Sequence, residues 1–165
     1  MASGGLFNLA RGAKAIALLL FLVPWVTVSC GGTEVSMTGY ELATGATGGS
    51  TGGAPASGGR DADVWVIAAA ALILGGLALS FVLPRARAAL LAALAAIGAA
   101  TLIAVTVLVR LPDQLGDRPT PGEAMNAQQA DELIRVQPEI GFWLVMAALI
   151  AAAALNLMAR NRAGP

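Results

Sequence analysis

The chain of 165 residues carries ten basic and ten acidic residues, so its formal net charge is zero, and 57% of its residues are hydrophobic. Its mean hydropathy of +0.74 lies outside the range of soluble domains and predicts an integral membrane protein. One cysteine and no histidine exclude an intrachain disulfide, a Cys-rich metal site and the usual proton shuttle, so we expect no enzyme, no cofactor and no metal centre.

Four apolar stretches are long enough to cross a bilayer, at about 8–28, 63–83, 88–109 and 139–159. They predict an all-α membrane protein, a bundle of four transmembrane helices. Threaded in alternation, they leave the N-terminus, the turn at residues 84–88 and the C-terminus on one side, with six basic residues and no acid. All ten acidic residues fall on the other side. Because lysine and arginine in short loops face the cytoplasm, we expect an N-in/C-in topology, with both termini cytoplasmic.

The first span has two possible ends. In the first interpretation the helix begins near Leu6 and ends at Pro24 and Trp25, with Arg11 and Lys14 snorkelling to the inner headgroups. In the second, the helix continues to Ser29 with a kink at the proline. We favour the first, because a tryptophan beside a proline is typical of a membrane exit.

An outer hairpin is predicted directly after that exit. The strands would be V-T-V-S-C and T-E-V-S-M, which alternate in polarity, with Gly31 and Gly32 forming the turn. Residues 27–30, T-V-S-C, also resemble a degenerate lipobox, in which Cys30 would become a lipidated N-terminus. Threonine at the position usually held by leucine, and three further spans, favour instead a small buried thiol near the outer interface.

The remaining outer segments differ in character. Residues 43–60 are rich in glycine, serine and threonine and predict a flexible linker. Residues 121–136 predict a short amphipathic outer helix, with Thr120 as its N-cap, Pro121 at its first position and Glu123 completing a capping box. Trp25, Trp65 and Trp143 fall at the outer ends of three spans, where tryptophan is favoured.

Within the spans we expect no charged side chain at mid-membrane depth, which argues against a pump, an ion-coupled carrier or an intramembrane enzyme. Small residues recur at every fourth position, and such residues let helices approach closely in lipid. Their faces serve either internal packing of the bundle or docking of a partner subunit. They are Ala71 with Gly75, Gly76 with Ser80, Ala92 with Ala96 and Ala100, and Ala147 with Ala151.

The segments P-W-V-T-V-S-C-G-G and T-G-Y-E-L-A-T-G resemble a group of small multi-span bacterial membrane proteins. Those proteins carry P-W-V-x-V-S-C-G-G followed by (S/T)-G-x-x-L-A-T-G after their first helix, and the G-F-W-L…A-A-L-N pattern of the last span is similar too. The resemblance covers about a quarter of the chain. It implies the bacterial cytoplasmic membrane and a multi-span architecture, and it implies no reaction.

We therefore expect a non-catalytic accessory or assembly subunit that docks on a larger membrane complex. The candidate docking element consists of Pro24, Trp25, Gly31, Gly32 and Tyr40. The expected partners are the lipid bilayer and other membrane-protein subunits, with a homo-oligomer possible. No basic patch with interleaved aromatic residues points to nucleic acid. The alternative function is a small homo-oligomeric transport or channel-forming subunit.

Overall fold

A computed structural model describes residues 3–30, 33–46, 62–116 and 134–162. The chain is mostly helical, and within these residues four helices are long and apolar enough to cross a membrane, which confirms the predicted number of spans. The long helices are α1 (Ser3–Leu19), α3 (Val64–Val82), α4 (Arg85–Val105) and α6 (Ile140–Arg162), and short helices α2 (Gly39–Thr44) and α5 (Leu111–Gly116) accompany them.

Helix α1 closes with a 3-10 turn, Leu20–Leu22, and strand β1 (Pro24–Cys30) follows at once. Proline disfavours the helical conformation of the residue before it, and Val23 is extended, with φ −91° and ψ 148°. The helix therefore ends before Pro24, as the first interpretation predicts. Continuation to Ser29, and the predicted span of 8–28, are wrong at this end because residues 24–28 form a strand.

Helix α4 does not stop at residue 109 as predicted. It passes through a π-helical turn, Thr106–Arg110, into α5. Pro112 lacks an N–H, and its ring would collide with the carbonyl of residue 108 in a regular α-helix. The wider π turn just before the proline accommodates this ring, so α4, the π turn and α5 form one continuous helix.

Three strands form a small antiparallel sheet in the order β2-β1-β3, where β2 is Thr33–Thr38 and β3 is Ile134–Pro138. Strands β1 and β2 pair antiparallel over the segments that the sequence predicts as strands. Strand β3 corrects the predicted outer helix of 121–136: residues 117–133 lie outside the described residues, but 134–136 are extended, and Val136 pairs with Val28. The predicted linker of 43–60 begins later than expected, because residues 43–44 complete α2; residues 47–60 lie outside the described residues.

The four long helices pack in the cyclic order α1, α6, α4, α3, and α3 closes the ring against α1. The core is built largely from alanine and aliphatic side chains. At one end, which we call the basic end, the start of α1 packs against the start of α4 and the close of α6, through Leu6, Phe7, Ala88, Ala89 and Ala159. The sheet and α2 lie at the opposite end.

Candidate functional site

The sheet and α2 form a structure that we call the cap, comprising residues 24–30, 33–45 and 134–138. Trp25 fastens it to α1. In the β1–β2 register Pro24 opposes Thr38 and Val26 opposes Met37, which leaves Trp25 as the extra residue of a β-bulge. The bulge turns the indole inward. The side chain is fully buried, so the prediction that Trp25 anchors the protein in the lipid headgroups is wrong.

The buried indole has a specific partner for its polar atom. Trp25 Nε1 donates to the carbonyl oxygen of Leu20 at 2.8 Å, at the 3-10 turn that ends α1. Its ring meets Phe21 edge to face, with centroids 4.6 Å apart. A tryptophan buried with its N–H satisfied contributes both apolar area and orientation. Trp25 therefore fixes the angle at which the chain leaves the bundle.

Two glycines permit close approach, one within the cap and one between the cap and α6. A Cβ at Gly39, the first residue of α2, would lie 2.6 Å from Cζ2 of Trp25. A Cβ at Gly141, in the first turn of α6, would overlap the carbonyl oxygen of Pro24 and lie 3.0 Å from Val23 Cγ1. Both distances are shorter than carbon contacts in proteins. There is thus no space for a side chain where α2 packs on Trp25, or where α6 meets the cap.

Hydrogen bonds join the cap to the start of two further helices. The Glu139 amide donates to the Trp25 carbonyl oxygen at 2.7 Å, and Thr27 Oγ1 donates to Glu139 Oε1 at 2.9 Å. On the other flank, the Asp63 amide donates to the Leu42 carbonyl oxygen at 3.1 Å. The cap therefore belongs to the bundle and is not a pendant loop.

Charged and aromatic groups surround this junction. Arg110 Nη1 lies 3.6 Å from Asp63 Oδ1, and its guanidinium lies 5.0 Å from the centre of the Trp65 ring. Asp63 also caps α3, since its Oδ1 accepts from the Trp65 amide at 2.9 Å. Trp65 is 42% exposed and Trp143 58%, at the same end of the bundle. These two tryptophans, unlike Trp25, have the exposure that an interfacial role requires.

The cap has two exposed large hydrophobic side chains among its described residues, Tyr40, 54% exposed, and Val35, 45% exposed. Tyr40 stands on α2, whose start is fixed by a capping box between Thr38 and Glu41. Of the predicted docking element, Tyr40 is thus accessible, and Pro24 is exposed at the point where the cap meets α6. The turn residues Gly31 and Gly32 and the side chain of Cys30 lie outside the described residues, although the Cys30 backbone pairs with Thr33 and Ile134.

The small residues of the spans divide between two faces. Gly76 and Ser80 of α3, like Ala92, Ala96 and Ala100 of α4, are buried in the bundle. Ala71 and Gly75 of α3, and Ala147 and Ala151 of α6, face away from it. A Cβ placed on Gly75 would meet no atom within 4 Å. The close-packing pattern therefore occurs inside the bundle and again on its outer surface.

Lys14 departs from the sequence expectation. It is 1% exposed, and its Nζ donates to the Gly76 carbonyl oxygen of α3 at 3.3 Å. The prediction that Lys14 snorkels to the headgroups is therefore wrong. A signal was present in the sequence: Lys14 shares a helical face with Ala10 and Ala17, small residues that let neighbouring helices close over it.

One turn earlier on the same helix, Arg11 lies between α1 and α3. Its Nε donates to Ser80 Oγ at 3.1 Å, and its Nη2 donates to the Ser80 carbonyl oxygen. The guanidinium also lies 4.6 Å from the ring centre of Phe7 and 4.1 Å from that of Phe81. The sequence predicts Arg11 among the headgroups and does not indicate these contacts with α3 and with Phe7.

Comparisons of the chain with protein-family models, with curated proteins and with solved structures found no match.

Proposed function

We propose that this protein is a non-catalytic accessory or assembly subunit of the bacterial cytoplasmic membrane that docks on a larger membrane complex. Both termini and the α3–α4 turn lie in the cytoplasm in this proposal, and the cap lies outside. The observation that carries it is the small-residue face of α3, where Ala71 and Gly75 point away from the protein's own bundle.

In lipid, helices gain little from burying apolar surface against one another, so association depends on close backbone approach. Helix α3 already uses one small-residue face, with Gly76 against Ala95 of α4, to pack within the bundle. The second face is exposed, and Gly75 has open space around it. This surface suits a helix of another membrane subunit crossing at short range.

The cap supports the same function from outside the hydrocarbon layer. Its backbone is fixed by Trp25, Gly39 and Gly141, so Tyr40 and Val35 are presented on a rigid surface. Tyrosine offers an apolar ring and a polar tip at a low cost in conformational entropy, and is enriched in protein interfaces. A partner with an extracytoplasmic face could contact the cap and α3 together.

The buried polar side chains favour a packed scaffold over a transport path. Lys14, Ser80 and Asn156 each donate to a backbone carbonyl of their own or a neighbouring helix. Among the described side chains, the Thr106 hydroxyl is the one buried polar group without a partner. A small homo-oligomeric transport subunit would need such groups aligned along one surface.

The test replaces each of two exposed glycines with leucine. Gly75→Leu places a bulky side chain on the proposed docking face, and Gly12→Leu places the same side chain on an exposed part of α1; neither site has an atom within 4 Å of a new Cβ. We expect Gly75→Leu to release the protein from its native complex in mild detergent, measured by native gel and mass spectrometry, while its melting temperature stays unchanged. Gly12→Leu should keep the complex.

Two results would contradict the proposal. If the wild-type chain purifies only as a homo-oligomer, the transport alternative is favoured. If both leucine variants keep the complex, or lose it equally, the α3 face is not the docking surface.

Orientation is tested separately, in a Cys30→Ser background. A membrane-impermeant maleimide should label Tyr40→Cys in intact cells and leave Arg87→Cys unlabelled, since these exposed residues lie at opposite ends of the bundle. The reverse labelling would show that the topology is inverted.

A further inference from the structure

The basic end of the bundle carries positive charge with no protein counter-charge in the part of the chain that the structure describes. Arg11, Arg87 and Arg160 lie on the helix segments at this end. Every acidic residue with described coordinates lies at the cap end instead; these are Glu34, Glu41, Asp63, Asp113 and Glu139. Cations in or beside hydrocarbon are costly unless they are paired or hydrogen-bonded. Because the described carboxylates lie at the other end, an anion that pairs with these arginines would come from outside the described protein.

A cleft of about 540 Å³ opens between α1 and the end of α3, where such an anion could bind. Its walls include Asn8 and Arg11 from α1 and Ser80 and Phe81 from α3. The Arg11 guanidinium is oriented by Ser80 and by the rings of Phe7 and Phe81, so little conformational freedom is lost when it binds a ligand. A guanidinium has five N–H donors, and the bonds to Ser80 engage two of its nitrogens, Nε and Nη2.

The depth of this cleft matches the border between hydrocarbon and headgroups. Ser80 lies two residues before the end of α3 at Val82, which is about 3 Å along the helix axis. Phe81, which lines the cleft, is 66% exposed. An anion bound at Arg11 would therefore have apolar surface directly alongside it, as an acyl chain requires.

We propose that the cleft binds the phosphate of an anionic phospholipid from the leaflet that surrounds the basic end. Arg11 binds the phosphate through charge-assisted hydrogen bonds, and the Asn8 amide, exposed on the same wall, completes the rim. The acyl chains lie against Phe81. This site does not depend on partner docking, because it is formed by α1 and α3 at the end opposite the cap.

The test is a lipid titration of the purified full chain in neutral detergent, followed by native mass spectrometry. The probes are phosphatidylglycerol, phosphatidylcholine as the zwitterionic control, and inorganic phosphate as a free-anion competitor. We expect phosphatidylglycerol to bind at least about fivefold more tightly than phosphatidylcholine, since one basic residue near a membrane surface contributes about that factor. Millimolar inorganic phosphate should not displace it.

Three variants locate the site. Arg11→Gln removes the cation and should reduce phosphatidylglycerol binding about fivefold. Asn8→Glu leaves the packing intact, because Asn8 is exposed, but adds a carboxylate one turn from Arg11 and should abolish the preference for anionic lipid. Arg87→Gln is the matched control: it removes the same charge from an exposed position at the same end, outside the cleft, and should bind as wild type.

The proposal is overturned if Asn8→Glu and Arg11→Gln both bind phosphatidylglycerol like the wild type, or if Arg87→Gln weakens binding as much as they do. Displacement by millimolar phosphate would identify the ligand as a free anion and would overturn the lipid assignment.

Discussion

Replacing Gly39 with alanine tests how tightly α2 packs against Trp25 of β1. The added methyl carbon would lie 2.6 Å from Cζ2 and 2.7 Å from Cε2 of Trp25. The indole cannot yield easily, because it is fully buried and its Nε1 is hydrogen-bonded to Leu20. The strain must therefore move α2 away from β1, or break the indole hydrogen bond.

The size of the effect follows from that overlap. Carbon atoms in contact lie about 3.5–4.0 Å apart, so the structure must open by about 1 Å. Over-packing of this kind costs about 1–3 kcal/mol of unfolding free energy, which is roughly a 5- to 150-fold change in the folding equilibrium. Gly12→Ala is the control, since a Cβ there meets nothing within 4 Å and alanine favours a helix.

Stability would be measured by reversible unfolding in mixed micelles, followed by near-ultraviolet circular dichroism. Trp25→Leu removes the obstructing ring and is itself destabilising. The loss of unfolding free energy in the double variant Gly39→Ala/Trp25→Leu should therefore be smaller than the sum of the losses in the two single variants. Strict additivity in this cycle, or a Gly39→Ala protein as stable as Gly12→Ala, would refute the proposed contact.

Three further substitutions probe the same junction. Gly141→Ala should destabilise more than Gly39→Ala, because its methyl group would overlap a backbone oxygen of Pro24; an unchanged melting temperature would contradict this. Trp25→Phe should lose about 0.5–1.5 kcal/mol for the Nε1 bond to Leu20, plus the cost of the void, measured in the same unfolding assay. Arg110→Gln should cost less than about 1 kcal/mol, because the ion pair with Asp63 is partly exposed, and a larger loss would mean that Arg110 has a further structural role.

The parts of the fold that depend on local pattern could be predicted from the sequence. Long apolar stretches identify the four helices, and alternation about a glycine pair identifies the β1–β2 hairpin. Strand β3 was mistaken for the end of a helix, although Ile134, Val136 and Pro138 alternate with polar residues. Its partner, β1, lies about 100 residues earlier in the chain, and no local pattern reports a pairing at that distance.

In the candidate site, too, features set by local sequence can be predicted, and features set by contacts between distant segments cannot. Tyr40, which the sequence assigns to the candidate docking element, is 54% exposed on α2. The burial of Trp25 depends on a bulge that shifts the register by one residue, and the burial of Lys14 depends on Gly76 of another helix. Both require knowledge of which segments meet in three dimensions.

The central position of β1 also has a consequence for biogenesis. Its second neighbour, β3, is synthesised about 100 residues later, so at ribosomal rates of about 5–20 residues per second the edge of β1 stays open for roughly 5–20 s. During that interval α3 and α4 are inserted, and the backbone hydrogen bond from the Glu139 amide to the Trp25 carbonyl oxygen cannot yet form. Completion of the sheet coincides with arrival of the last span, so a finished cap marks a chain whose four helices are all in place.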